Sequence, residues 1–167
     1  LGTLAEPLTS GLRAFKRAQE IGCFRIGDSV VIQGSGPIGV LAVAAAQEMG
    51  AGRVIVIGAP EKPRLELCRA FGADATVDIE SLEAPAERIE AVRDLIGGFG
   101  ADLVMDCAGH PSAGPEGMEM LRDGGTYVEM GQFTDAGAIE TNWHRICVKD
   151  INILGSWAFT ADDIALG

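Results

Sequence analysis

The chain has 167 residues, close to half of them apolar, a net charge of −11 and no basic stripe. That length suits one α/β domain with a full core, and the missing Lys/Arg cluster argues against nucleic acid. The apolar run from Val30 to Gln47 is broken by three glycines, a serine and a proline, so it does not read as a membrane span.

Leu1 to Ser10 has no basic start followed by an apolar block, so no secretory signal is expected there. The chain lacks an initiator Met and stops at Gly167 just as a helix is beginning, which suggests a segment cut from a longer protein. Cys23, Cys68, Cys107 and Cys147 form no Cys-x-x-Cys pair. They read as reduced, mostly buried thiols of a cytoplasmic protein.

In chain order, a helix is predicted over about Leu8–Gln19, then a strand over Ser29–Gln33. A helix follows from Pro37 to Met49, closed by Gly50, and a second strand at Arg53–Ile57. Glu61–Phe71 reads as a helix ended by Gly72, and Ala75–Asp78 as the third strand. Pro85 opens a helix whose Ile89, Val92 and Ile96 share a face, before a strand at Leu103–Asp106. A helix over about Ser112–Leu121 precedes strands at Thr126–Met130 and Asn152–Trp157, with His144 in the connection between them. Thr160 with Asp163 three residues on resembles a capping box. Continuous apolar strands alternating with helices predict an α/β fold: a doubly wound, six-stranded parallel sheet of order 3-2-1-4-5-6, as one domain over residues 1–167. Its ligand crevice is expected beyond the carboxyl ends of strands one and four.

Gly34-Ser35-Gly36-Pro37-Ile38-Gly39 lies where that crevice should open, between a strand and a helix, with a second strand close behind. This is the Rossmann dinucleotide fingerprint. Gly34 permits the tight turn, Gly36 lets backbone approach a pyrophosphate, and Gly39 lets the helix pack close to the sheet. The helix start offers unpaired N–H groups to phosphate. The acid that usually ends the second strand is missing: Gly58-Ala59-Pro60 stands there, followed by Glu61, Lys62, Pro63 and Arg64. Without a carboxylate to repel it, a 2′-phosphate could pair with Lys62 or Arg64, which leans toward NADP over NAD. The alternative is that both cations solvate a helix start while Glu61 reaches the ribose. Cys107, Ala108 and Gly109 leave strand four, and Met130 and Gly131 leave strand five, as small or apolar neighbours for the nicotinamide half. No base accompanies Cys107, so it reads as packing rather than a nucleophile. His110 and His144 read as turn or surface residues that gather no metal cluster.

The chain resembles the cofactor domain of the medium-chain dehydrogenase/reductase superfamily, in its zinc-dependent alcohol and polyol (sorbitol and threonine dehydrogenase-like) branch. The resemblance rests on Glu6-Pro7-Leu8, on Gly27 to Gly39, on Arg64 to Asp74, on Gly100-Ala101-Asp102, on Asp106 to Gly109 and on Gly124-Gly125-Thr126. It implies NAD or NADP as cofactor, and hydride transfer to or from a secondary alcohol or ketone polarised by zinc. It places the zinc in the full-length parent, whose catalytic domain is absent here, with Glu6 as this chain's one zinc-site candidate. A small-molecule substrate in the parent and no nucleic-acid or membrane partner are expected. A homodimer through the last strand is also expected, because that strand is an uncovered apolar edge. The competing readings are a non-catalytic dinucleotide-binding module, a zinc-free quinone or enoyl reductase and, less well matched, a methyltransferase.

Overall fold

The computed structural model describes residues 2–133, 135 and 137–166, so the terminal Leu1 and Gly167 lie outside it. Runs rich in Val and Ile form six strands: β1 Ser29–Gln33, β2 Arg53–Gly58, β3 Ala75–Asp78, β4 Ala101–Asp106, β5 Leu121–Glu129 and β6 Asn152–Gly155. Every ladder is parallel and the order is β3-β2-β1-β4-β5-β6, as expected from the sequence.

Helices cover both faces, which is why the strands are apolar on both. On one face Val30, Ile32, Val54, Val56, Leu103 and Met105 pack with Phe15 of α1 (Gly2–Glu20) and Val43 of α2 (Pro37–Glu48). On the other, Val31, Ile55, Val77, Val104 and Tyr127 pack with Val92 of α4 (Pro85–Leu95) and with Met118 and Met120 of α5 (Ala113–Met120). The helices α1 and α2 meet closely at Gly11 and Ala42. A Cβ on Gly11 would lie 3.3 Å from Ala42 Cα.

Several elements depart from expectation. The first helix begins at Gly2 and carries Pro7 inside it, where the sequence suggested a start at Leu8. Glu61–Phe71 is not one helix. Lys62 sits at φ −110°, ψ 130°, an extended conformation, so Glu61–Leu65 is kinked before α3 (Glu66–Ala70) begins. Pro63 is the reason, since its ring disfavours the α conformation for the residue before it. β5 reaches back to Leu121, with a register shift opposite Ala101–Leu103. β6 stops at Gly155 rather than Trp157, because its pairing with β5 ends at Glu129. His144 lies in an unexpected short helix, α6 (Trp143–Val148), capped by the Asn142 side chain. All four cysteines are free; Cys68 is buried, Cys23 and Cys107 are partly exposed as residues, and Cys147 departs from the expectation by being exposed.

The capping box is present. Asp163 Oδ2 accepts from Thr160 Oγ1 at 2.7 Å and Thr160 N at 2.8 Å at the start of α7 (Ala161–Leu166). The same carboxylate receives Arg13 at 2.8 Å and Lys16 at 3.3 Å, clamping α7 to α1. The Thr160 hydroxyl, then the Thr160 amide and Arg13, hold the Asp163 carboxyl below its ordinary value of 3.8. A depressed carboxylate stabilises the fold above the unfolded-state value and loses that contribution as pH falls through the lower folded-state value. Asp163→Asn, which removes the charge that these hydrogen bonds and cations serve, is therefore expected to cost about 1–2 kcal/mol at neutral pH. The Tm gap to the unaltered chain should close as pH drops below 3.8. A gap that persists unchanged in acid, measured by thermal unfolding, contradicts this.

Candidate functional site

Four strands end in one row, Gln33–Asp106–Glu129–Gly155 across β1, β4, β5 and β6, with β2 running one residue past Ile57, the partner of Gln33, to Gly58. The turn leaving β1 is held by its neighbours: Gly34 N donates to Ile57 O at 2.7 Å, and Cys107 N donates to Gln33 O at 2.8 Å. Gly34 has φ +108°, and a Cβ on it would lie 2.9 Å from Ala108 N and from the Cys107 carbonyl carbon. Glycine is required there twice over. A Cβ on Gly39 would strike the Gly34 carbonyl oxygen, so that glycine lets α2 start directly over the turn.

Gly36 differs from both. It is the N-cap of α2 at φ −75°, ψ −178°, a conformation open to any residue, and a Cβ there would meet no protein atom within 4 Å. Pro37 follows at the first helical position, and Val40 N donates to Gly36 O at 2.9 Å. The amides of Ile38 and Gly39 therefore lack intrahelical partners. An open face, free amides and a helix N-terminus together are suited to hold an anion.

A crevice of about 450 Å³ lies on the β2 side of this turn, lined by Gly34, Ser35, Gly36, Gly58, Cys107 and Ala108 among others. Its charged lining is Arg64, Arg88 and Glu116. Arg88 is bidentate to Glu116 at 2.7 and 2.6 Å and also donates to the Leu82 and Glu83 carbonyls. Arg64 has no ion-pair partner among the described residues and is the cation left over. Of the two sequence candidates, only Arg64 reaches this crevice. Lys62 is exposed, pairs with Glu66 at 3.4 Å and lines no cavity described here. Glu61 pairs with Arg69 instead of turning to the crevice.

Beyond β4 and β5 each turn is folded by the strand's last carboxylate. Asp106 Oδ1 accepts from Ala108 N at 2.7 Å and Gly109 N at 3.0 Å; Glu129 Oε1 accepts from Gly131 N at 2.9 Å and Gln132 N at 3.0 Å. Gly109 and Gly131 then pack backbone to backbone, where a Cβ on Gly131 would be 2.5 Å from Gly109 N. Burial pushes both carboxyls up from their ordinary values. Burial first, then Asp106 and Glu129, also raises the Cys107 thiol, which suits packing and not nucleophilic attack.

Met130 lies elsewhere, lining a second cavity of about 340 Å³ with Glu6, Ser10, Ile38, Ser156 and Trp157. The two cavities flank the start of α2, with Gly36 on one and Ile38 on the other. Glu6 is exposed on α1, and among the described residues no three His, Cys, Asp or Glu side chains gather as a metal site. A protein zinc site needs three such ligands, so Glu6 supplies at most one. His110, exposed, lines the first crevice with Nδ1 2.8 Å from Ser112 Oγ. Arg88 and Glu116 were not foreseen, since they lie on separate helices and no local pattern links them. Gln33, which also lines the crevice, had a signal as an uncharged polar residue closing an apolar strand.

Sheet order, strand-end crevice and glycine turn define a Rossmann-type α/β domain. The chain belongs to the zinc-binding dehydrogenase family, whose model matches residues 37–165. It is 40% identical over 154 residues to an erythritol/L-threitol dehydrogenase of Mycolicibacterium smegmatis, covering 91% of this chain and 39% of that protein. In three dimensions it is similar to an alcohol dehydrogenase of Thermotoga maritima (TM-score 0.86, 31% identity, 96% of this chain and 43% of that one). It is also similar to a zinc-binding dehydrogenase of Sinorhizobium meliloti solved with NADP (TM-score 0.80, 26% identity, 96% and 45%). The chain thus spans about two fifths of the length of these relatives.

Proposed function

We propose that residues 1–167 act as the NAD(P)-binding domain of a longer zinc-type alcohol or polyol dehydrogenase. The observation that carries this is the unexplained glycine: Gly36 is demanded by no protein contact, yet it faces open space at a helix start between two cavities. A pyrophosphate would sit against Gly36 and the Ile38 and Gly39 amides, with adenosine toward Gly58 and Arg64. Ala108 and Gly109, Gly131 and Met130 would back the nicotinamide half, with Ile38 and Cys107 packed beneath. When bound, the cofactor would accept or donate the hydride exchanged with a secondary alcohol or ketone. Glu6 is the residue this chain would offer to a zinc ion whose other ligands come from outside the described residues. NADP(H) is favoured over NAD(H), because the crevice carries two cations against one carboxylate and no acid ends β2.

The site divides its glycines by purpose, and two substitutions separate them. Gly36→Asp supplies a good N-cap in open space, so Tm should hold or rise slightly. It also puts a carboxylate where the phosphates belong, so NADPH binding should weaken about a hundredfold or more, roughly 2.7 kcal/mol. Gly39→Ala should instead lower stability by about 1–3 kcal/mol through overpacking. Calorimetric titration and thermal unfolding read both; undiminished binding by Gly36→Asp sinks the assignment.

We further propose a homodimer through β6. It is the sheet's edge, and Ile153 is 52% exposed there, close in sequence to the exposed Trp157. No described helix is long and apolar enough to cross a membrane, and the free thiols suit the cytoplasm. Ile153→Lys should shift sedimentation equilibrium from dimer to monomer. An unaltered chain that is already monomeric rules the interface out.

A further inference from the structure

The end of β2 has no room for a side chain. A Cβ on Gly58 would stand 2.6 Å from Ser35 Oγ and 2.9 Å from both Ser35 Cβ and Ser35 N. Ser35 cannot easily step aside. It is 4% exposed, its Oγ donates to the Ala59 carbonyl at 2.8 Å, and it follows Gly34, whose backbone is wedged against Cys107 and Ala108. The missing acid is therefore excluded sterically by a residue of the glycine-rich turn, 23 positions earlier in the chain.

A carboxylate at this strand end binds the ribose hydroxyls and repels a 2′-phosphate. Here its space holds a neutral hydroxyl already engaged with a backbone carbonyl. The nearest other acids do not replace it, since Glu61 pairs with Arg69 and Glu116 with Arg88. Arg64 on the crevice wall keeps its charge available.

We propose that Ser35 is the specificity-determining residue for the dinucleotide. By filling the space of a strand-end acid it holds position 58 as glycine and leaves the adenosine end open to a 2′-phosphate. This rests on the dinucleotide reading above and adds a coupling to it: substitutions at positions 35 and 58 are not additive.

Two measurements on the 167-residue chain test it. The first is a thermal-unfolding cycle of the unaltered chain, Ser35→Gly, Gly58→Ala and the double variant. Gly58→Ala should lower Tm, and Ser35→Gly should recover a large part of that loss. Recovery is partial because the amide nitrogen of residue 35 still stands 2.9 Å from the added Cβ. Additive losses overturn the interlock. The second is fluorescence titration with NADPH and NADH. The unaltered chain should prefer NADPH by about tenfold or more. Gly58→Asp alone should bind both poorly, and Ser35→Gly with Gly58→Asp should prefer NADH. Overturning results are a folded Gly58→Asp chain that already prefers NADH, a double variant that keeps the NADPH preference, or a double variant that does not fold. An unaltered chain that binds neither dinucleotide sinks the dinucleotide reading and this proposal with it, whatever the thermal cycle shows.

Discussion

Close approach of backbone to backbone at the carboxyl edge of the sheet governs the rest of this structure. Gly34 lies against Cys107 and Ala108, Gly39 against Gly34, Gly58 against Ser35, and Gly131 against Gly109. Any Cβ at these points would push two strand exits, or α2 and its own turn, apart. With the turns in contact, the start of α2 lies between two cavities, Gly36 lining one and Ile38 the other. Gly36 lies outside this scheme, and there the turn is left open.

Electrostatics at the edge follows from the same geometry. The chain carries a net charge of −11, which would disfavour a phosphate ligand if its carboxylates faced the crevice. They are turned to other tasks. Asp106 and Glu129 bind the amides of their own turns, and Glu116 binds Arg88. What remains facing the seat is a set of backbone amides and Arg64, an arrangement suited to an anion in an acidic protein. Asp163 plays a comparable part at the opposite terminus, spending its charge on Thr160, Arg13 and Lys16 to hold α7 on α1.

Much of this was legible in the sequence, and where it was not the reason is physical. The sheet order followed from apolar strands alternating with helices, and the strand–turn–helix at Ser29–Glu48 followed from glycine spacing tied to backbone conformation. The missing acid at Gly58 was visible; its cause was not, because it lies in a contact with Ser35 made only once β1 and β2 pair. Lys62 and Arg64 looked equivalent until the bend before Pro63 sent one to Glu66 and left the other on the crevice wall. The Arg88–Glu116 pair joins two helices with no shared local pattern. Helix α6, Trp143–Val148, is too short to show a periodic face.

The central claim is that the start of α2 is a pyrophosphate seat. Titrating isotopically labelled chain with NADPH and following backbone amide shifts by NMR tests it most directly. The account predicts the largest shifts at the amides of Ser35, Gly36, Ile38 and Gly39, with smaller ones at Gly58 and Ala108. Shifts confined to the amino end of the sheet, around Ile26 and Phe99, or no saturable shifts at all, would contradict it.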